Sequence, residues 1–456
     1  MHSIERHSIA GIVVEGLFGL YGYQLGLSVG QAFDPGLLLF YGDNGRGKTT
    51  ILRLLYHTLS PELQGGHRTA LTRIPVRRFC ITLGDGTEIE IRRGGDSLVG
   101  PYKWLLTRPN QTQLFVDVVP NEQGNVTRSQ DPEVAKKWAA LESELIKLGL
   151  SVYFLPDDRK SNPGKQVDSG IDLDLITYDN AHTISYEQAK KAGASQRSAL
   201  ELTVYELVNF LRGQVISASQ IGEANINQIY AGIVRRLIWN KGEKSGEAKD
   251  SGDILVALSS LMERSEPFSD LGLMPRLDFR DLQAQIGQGE PSTKTLIAGV
   301  LQPYVDSISA RLDALASVQE VIETFLKLLG EFYTDKYATF DTRSGLQIKQ
   351  REGKELPLQF LSSGEKQLLL LFCNTIRARA RAAIFIIDEP ELSLNVKWQR
   401  RLIESLLSLV KGSGVQFVIA THSIELLAGQ REAIVRLNPK SLKEFPDTWN
   451  DEPSPS

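Results

Sequence analysis

The sequence has little cysteine, no long apolar run and no large excess of charge of either sign. Its two cysteines, Cys80 and Cys373, lie far apart in apolar stretches of a 456-residue chain. We therefore expect two reduced, buried thiols in a cytoplasmic protein, with neither a disulfide nor a zinc site. None of the six histidines has the spacing of paired metal ligands, so they add no evidence for a metal centre.

No stretch approaches the roughly 18 consecutive apolar residues of a membrane span. The N-terminal segment carries an acid and lacks a long apolar core, so we expect no secretion signal and no membrane partner. The formal net charge of −4 argues against a dominant electrostatic attraction to nucleic acid. A local basic patch leaves nucleic acid open as a ligand, and the candidates are Arg73, Arg77 and Arg78.

The apolar patterning changes twice along the chain. Residues 1–155 combine strand patterns, including a hairpin over 78–92, with an amphipathic helix. Residues 156–340 are mainly helical in pattern, and β/α alternation resumes over 341–437. The tail 438–456 is rich in Pro, Ser and Asp and is predicted to be flexible. The sequence thus predicts an α/β fold with a mainly helical insertion.

The stretch GDNGRGKT at 42–49 fits the phosphate-binding pattern G-x-x-x-x-G-K-[ST] and lies between a buried strand and an amphipathic helix. Its glycines let successive backbone N–H groups turn toward phosphate oxygens, and the helix adds its positive N-terminus. Lys48 supplies a charge to the β- and γ-phosphates and Thr49 a hydroxyl to Mg²⁺. A site for ATP and Mg²⁺ is therefore predicted. Its nucleotide-binding residues are Asn44, Gly45, Arg46, Gly47, Lys48, Thr49 and Thr50.

Two later apolar runs also end in polar residues. The run at 384–387 leads into Asp388 and Glu389, at the carboxyl end of a strand, where ligands bind in open α/β sheets. We expect Asp388, with Thr49, to hold Mg²⁺ and Glu389 to polarise the attacking water. His422 follows another such run and is a candidate γ-phosphate sensor, although a lone histidine there is more often a hydrogen-bonded surface residue.

The stretch LSSGEKQ at 361–367 opens an apolar helix pattern. Ser362 and Glu365 have the spacing of a capping box, in which each side chain binds the other residue's backbone N–H group. Alternatively, Ser362, Ser363, Gly364 and Glu365 contact a nucleotide phosphate at the helix N-terminus. Both interpretations use the Ser362 hydroxyl, and the sequence leaves both open.

In this order the motifs resemble the ATP-binding-cassette (ABC) ATPase head, in the non-transporter branch that includes chromosome-maintenance (SMC), RecF-type repair and overcoming-lysogenization-defect ATPases. The resemblance covers about 1–155 and 340–437. It rests on the P-loop, the signature LSSGEKQ, the Walker B stretch IFIIDEPE, a D-loop at 391–395 and the H-loop THS. It implies a head fold with mixed and antiparallel sheets, ATP hydrolysis, and pairing of copies into a homodimer or higher oligomer. In such a pair, Ser362 and Gly364 of one copy meet the γ-phosphate held by the other.

The sequence differs from these ATPase heads in two ways. The usual glutamine that touches Mg²⁺ has no clear counterpart, and Asp158 and Arg159 are only weak candidates for its role. With 34 residues after His422, we expect no fused nuclease domain. The last helical pattern of the insertion holds heptad spacing for only a few turns, so we expect no long coiled coil. In size and architecture the chain is similar to ATPase subunits of two-gene anti-phage systems such as the PARIS type.

The resemblance implies an ATP-dependent switch whose pairing controls a separate effector, a nuclease, in bacterial anti-phage defence. The main alternative is a DNA-repair or DNA-structure-binding ATPase of the RecF/SMC type. A transporter cassette is a third, which the long insertion and the SSGEK form of the signature disfavour.

Overall fold

The structure is a computed structural model. It describes residues 8–26, 36–61, 66–109, 111–128, 131–157, 199–223, 251–288, 291–381 and 383–440. The chain divides into two compact units, one formed by residues 1–199 with 375–456 and the other by residues 200–374. Asp158 and Arg159, the helical pattern around 226–237 and most of the predicted flexible tail lie outside the described residues. The predicted domain limits at 155, 340 and 437 stay a prediction.

The described part of the chain has an α/β fold, as predicted. Its strands are β1 (Ile9–Leu17), β2 (Tyr21–Leu25), β3 (Leu37–Tyr41), β4 (Arg78–Leu83), β5 (Glu88–Arg92), β6 (Tyr102–Thr107), β7 (Leu114–Val118), β8 (Val152–Leu155), β9 (Lys336–Asp341), β10 (Gly345–Gln350), β11 (Ile384–Asp388), β12 (Gln416–Thr421) and β13 (Ile434–Arg436). Its helices are α1 (Lys48–Leu59), α2 (His67–Arg73), α3 (Pro132–Lys147), α4 (Ala199–Glu223), α5 (Ser251–Asp270), α6 (Arg280–Gln288), α7 (Pro291–Phe332), α8 (Ser363–Arg381) and α9 (Val396–Leu409).

The first unit contains a six-stranded antiparallel sheet in the order β2-β1-β4-β5-β6-β7. The predicted hairpin over 78–92 is confirmed as β4 and β5. Its turn is held by the Asp85 Oδ1 atom, which accepts a hydrogen bond of 2.8 Å from the Thr87 N–H group. Gly86 has a φ of 82°, a conformation that glycine adopts without steric cost.

A five-stranded sheet, parallel throughout, forms the other layer of this unit in the order β13-β3-β12-β11-β8. All residues of β11 and β12 are buried, which explains their continuous apolar runs. Ala420 of β12 pairs with Phe40 of β3 on one side and with Asp388 of β11 on the other. The carboxyl ends of β3, β12 and β11 therefore meet at one edge of the sheet.

Helix α1 contributes to a core that includes residues of both sheets. Leu52 and Leu55 of α1 are fully buried, as are Phe40 of β3 and Ile81 of β4. This burial fixes the helix directly after the β3 strand and so defines the path of the loop between them. Cys80 lies in this unit and Cys373 in the other, and both are free and buried, as predicted.

The second unit is mainly helical, as predicted for the insertion. Helices α5 and α7 pack together through buried apolar residues, including Leu258, Leu261, Leu312 and Leu315. The unit also holds the two-stranded antiparallel hairpin of β9 and β10 and the start of α8, whose later residues belong to the first unit.

Candidate nucleotide-binding site

The loop between β3 and α1 has the backbone conformation that a phosphate loop requires. Gly45 and Gly47 both have a φ of 83°, in the left-handed region where other residues are strained. Gly47 has a second constraint, because a Cβ atom there would lie 2.6 Å from Leu17 Cδ2. Helix α1 begins after Gly47 without a side-chain cap. Its N–H groups and the positive end of its dipole are thus suited to an anion.

Lys48 lies at the base of this loop, with only 6% of its surface exposed. Its ammonium donates hydrogen bonds to the carbonyl oxygens of Gly42, at 2.8 Å, and Asp43, at 3.2 Å. An ammonium has three donors, so these contacts orient the side chain and leave one donor for a phosphate oxygen.

A buried tyrosine supports the loop from β2. The Tyr23 hydroxyl donates a 2.8 Å hydrogen bond to the carbonyl oxygen of Arg46. Burial raises the pKa of Tyr23 to about 12, so this hydroxyl stays protonated as a donor even at alkaline pH. The hydrogen bond from Tyr23 therefore anchors the loop at Arg46, while Asp43, Asn44 and Gly45 are exposed to solvent.

Asp388 is the last residue of β11, and its carboxyl group is buried. Its residue surface is 0% exposed, and neither carboxyl oxygen has a partner among the described residues. The Thr49 hydroxyl favours the charged form, but its geometry falls short of a hydrogen bond. Unpartnered carboxyl oxygens are costly to bury. The donor set therefore fits a hard cation such as Mg²⁺, which prefers oxygen ligands.

The surroundings of Asp388 favour its neutral form. Burial raises its pKa from 3.8 to about 6, and the carboxylates of Asp157 and Glu389 add to the effect. The Thr49 hydroxyl and the charge of Arg53 lower the pKa and so oppose this effect. A divalent cation reverses this balance by stabilising the charged carboxylate.

Glu389 and His422 are brought together by neighbouring strands. His422 Nδ1 lies 3.2 Å from Glu389 Oε1. The backbone N–H of Glu389 donates to the Ala420 carbonyl at 2.9 Å, and its φ of 46° is rare for a residue with a side chain and typical of functional sites. The Glu389 side chain is 21% exposed and that of His422 45%, so solvent can reach the pair.

The stretch 361–367 lies in the second unit and forms the predicted capping box. The Ser362 N–H donates to Glu365 Oε2 at 2.8 Å, and the Glu365 N–H donates to Ser362 Oγ at 3.3 Å. Lys336 Nζ donates to Glu365 Oε1 at 2.6 Å, and the Tyr333 hydroxyl donates to the Glu365 carbonyl at 3.0 Å. Burial alone would raise the pKa of Glu365, but the hydrogen bonds from Lys336 and Ser362 outweigh it and lower that pKa.

The P-loop, Asp388, Glu389 and His422 thus lie at one edge of the five-stranded sheet, where β3, β11 and β12 end. Ser362, Ser363, Gly364 and Glu365 form a helix start in the other unit. Among the described residues, no group of three or more His, Cys, Asp or Glu side chains is placed to hold a metal by itself. The predicted cation site therefore needs oxygen ligands from outside these side chains, such as the Thr49 hydroxyl and phosphate.

Sequence reasoning missed three supporting side chains, which are Tyr23, Tyr333 and Lys336. Each acts through a contact distant in sequence, with Arg46 or Glu365 as its partner, and no local spacing marks it. The candidate basic patch carries less free positive charge than the sequence suggests. Its Arg78 forms ion pairs with Glu15 and Glu90, each at 2.9 Å.

Two comparisons with known sequences match less than half of this chain. The family model described as "AAA domain, putative AbiEii toxin, Type IV TA system" matches residues 267–428, which include the signature, Asp388–Glu389 and His422. The lipoprotein-releasing system ATP-binding protein LolD of Ruegeria pomeroyi is 35% identical over 78 residues, which are 17% of this chain and 32% of that protein. The chain thus spans about a third of the length of that curated relative. The first match is thus to an AAA domain and the second to an ATP-binding protein.

Two solved structures resemble the chain over most of its length. The Smc head domain from Pyrococcus furiosus, bound to the C-terminal domain of ScpA, has a TM-score of 0.39 at 12% identity and covers 94% of this chain and 93% of its own. The SMC head domain from Thermotoga maritima has a TM-score of 0.34 at 9% identity, with 94% of each chain covered.

No helix in the described ranges is long and apolar enough to cross a membrane.

Proposed function

We propose that this chain binds ATP with Mg²⁺ and hydrolyses it to ADP and phosphate, and that it acts as a cytoplasmic switch. The observation that carries this proposal is the buried, unpartnered carboxyl group of Asp388, placed at the same sheet edge as the P-loop and the Glu389–His422 contact. Within the described ranges no side chain or backbone group accounts for the burial of this carboxyl group, whereas a nucleotide-bound cation would do so.

Each residue has a defined part in this chemistry. The N–H groups of the P-loop and the Lys48 ammonium hold the phosphates, and Thr49 and Asp388 hold Mg²⁺. The cation, when bound, neutralises charge that develops on the phosphoryl oxygens. Glu389 orients the attacking water and accepts its proton. His422 holds Glu389 through Nδ1 and presents its other ring nitrogen toward the γ-phosphate.

The proposed switch is a homodimer or higher oligomer with shared ATP sites. Ser362 and Ser363 are exposed at the start of α8, where the helix N-terminus is favourable for a phosphate. In this proposal the helix start of one copy covers the nucleotide held by another, so ATP is the condition for pairing.

The proposed output is control of a separate effector nuclease in anti-phage defence. The matching family model carries the name of a toxin from a toxin–antitoxin system, which favours this output over DNA repair. The DNA-binding alternative of the RecF/SMC type would need exposed, uncommitted cations, whereas Arg78 is neutralised by Glu15 and Glu90.

The test is a pair of variants assayed for nucleotide binding and phosphate release. Lys48→Ala removes the phosphate charge, so we expect loss of ATP binding. Glu389→Gln keeps the binding residues and loses the base, so we expect ATP binding with hydrolysis reduced about 100-fold or more and accumulation of the paired state. Circular dichroism of both variants controls for folding. Hydrolysis by Glu389→Gln at the wild-type rate would contradict the assignment of the base.

A second measurement separates the switch from the DNA-binding alternative. Purified chain is assayed for ATPase rate with and without DNA over a range of salt concentrations, and for co-purification with a nuclease encoded beside it. Stimulation by DNA that falls steeply with salt, without a bound nuclease, would favour the repair class. A stable complex with the nuclease and a DNA-independent ATPase rate support the switch.

A further inference from the structure

Glu391, two residues after the predicted base, is a buried carboxylate that contacts three consecutive residues of the neighbouring strand end. Only 4% of its surface is exposed. Its Oε1 atom accepts hydrogen bonds from the Thr421 hydroxyl at 2.5 Å, from the His422 N–H at 3.2 Å and from the Ser423 N–H at 3.3 Å. One oxygen therefore fixes the backbone on both sides of the His422 side chain.

The backbone of Glu391 is itself held in place. The Leu394 N–H donates to the Glu391 carbonyl at 3.0 Å, and the Leu392 N–H donates to the Glu389 carbonyl at 3.3 Å, so two tight turns follow Glu389. The carboxylate thus projects from a rigid segment that begins at the predicted base. A second contact, from the Ser423 hydroxyl to Gln399 Oε1 at 2.7 Å, secures the far side of the same loop.

We infer that Glu391 is a positioning residue, which holds the His422 loop so that the imidazole faces Glu389. This inference rests on the proposed ATPase function. The imidazole lies 3.2 Å from Glu389 Oε1, and no local helix or strand fixes it, because β12 ends at Thr421. The Glu391 carboxylate joins the segment carrying the base to three successive residues of the segment carrying the histidine.

The two carboxylate oxygens of Glu391 have different surroundings, which supplies a sharp test. Oε1 accepts all three hydrogen bonds, whereas Oε2 has no partner in the part of the chain that the structure describes. In Glu391→Gln, the amide oxygen can accept the same three donors and the amide nitrogen takes the unpartnered position. In Glu391→Ala, the three donors lose their acceptor and the loop is free to move.

The experiment measures kcat and the Kd for ATP of wild type, Glu391→Ala and Glu391→Gln. We expect Glu391→Ala to lower kcat about 10- to 100-fold, a typical cost of misplacing a catalytic group by about 1 Å, with the Kd for ATP changed less than about 3-fold. We expect Glu391→Gln to restore most of the rate. Glu425→Ala is the matched control, because it removes a nearby acid whose 2.6 Å ion pair is with Arg400.

A double variant tests whether Glu391 acts through His422. In a His422→Ala background, we expect Glu391→Ala to cause little further loss of kcat, since the group that it positions is already absent. Losses that multiply, a Glu391→Ala variant with wild-type kcat, or a Glu391→Gln variant as slow as the alanine variant would overturn the inference. Absence of hydrolysis by the wild type would instead contradict the proposed function, so the two failures are distinguishable.

Discussion

Replacing Asp388 with asparagine separates the cost of burying this carboxylate from its proposed role in binding a cation. The substitution keeps the size of the side chain and removes its charge. Because Asp388 is fully buried and its oxygens have no hydrogen-bond partner among the described residues, the charged form destabilises the cation-free fold. The neutral amide avoids that penalty and gives up most of the attraction for Mg²⁺.

The size of this destabilisation follows from the pKa of Asp388. The ordinary value for this carboxyl is 3.8, and burial raises the pKa of Asp388 to about 6. Between these two pH values the folded chain keeps a proton that the unfolded chain has released, so the free energy of unfolding falls as the pH rises. At about 1.4 kcal/mol per pH unit, the loss reaches about 3 kcal/mol and stays constant above the folded pKa.

We therefore expect Asp388→Asn to unfold at a higher temperature than wild type at pH 7.5 in EDTA, with the gap closing toward pH 4. Thermal unfolding followed by circular dichroism across this pH range measures the difference in unfolding temperature between the variant and wild type. Addition of Mg²⁺ and ATP should stabilise wild type and stabilise the variant much less. Asp96→Asn is the control, because this exposed aspartate lies 3.5 Å from Arg77 in a surface pair of little energetic weight.

The reasoning would be refuted by an Asp388→Asn variant that is less stable than wild type in EDTA at pH 7.5. A gap in stability that does not change with pH would refute it as well. Either result would show that the buried carboxylate has stabilising partners in the cation-free protein.

Three further predictions concern the P-loop and the start of α8. Gly47→Ala should abolish ATP binding in an equilibrium binding assay, because the new Cβ lies 2.6 Å from Leu17 Cδ2 at a φ of 83°; binding at wild-type affinity would contradict the loop geometry. Ser362→Arg should leave ATP binding intact and prevent ATP-dependent pairing, measured by light scattering, and pairing by this variant would exclude a shared site at this helix start. Lys336→Met removes the 2.6 Å contact to Glu365 and should weaken pairing without changing the affinity of the single chain for ATP; unchanged pairing would limit that contact to a role in folding.

Most of the fold could be predicted from the sequence because its signals are local. The hairpin of β4 and β5 follows from alternation around Asp85-Gly86, and the buried strands β3, β11 and β12 follow from continuous apolar runs. The strand order could not be predicted in the same way. Periodicity does not reveal that β12 lies between β3 and β11, and it is this order that places His422 beside Glu389.

The sequence predicts those parts of the candidate site whose residues lie in short motifs, as in the P-loop and Asp388–Glu389. It was not predictable where one side chain acts on a distant segment. Glu391 contacts residues 421–423, about thirty positions away, and the sequence placed it only in a candidate D-loop. Long-range hydrogen bonds of this kind depend on how strands pair, so they become visible only in the folded chain.

The two interpretations of Ser362 are compatible because the capping box is asymmetric. Glu365 is held at both oxygens, by the Ser362 N–H at 2.8 Å and by Lys336 at 2.6 Å, whereas the Ser362 hydroxyl accepts one long hydrogen bond of 3.3 Å. Releasing that hydroxyl costs about 1 kcal/mol or less by the usual worth of a hydrogen bond, and the Glu365 contacts persist. A phosphate at the helix N-terminus would give the freed Glu365 N–H an acceptor in exchange. The same two residues can therefore cap the helix before ATP arrives and contact a nucleotide afterwards.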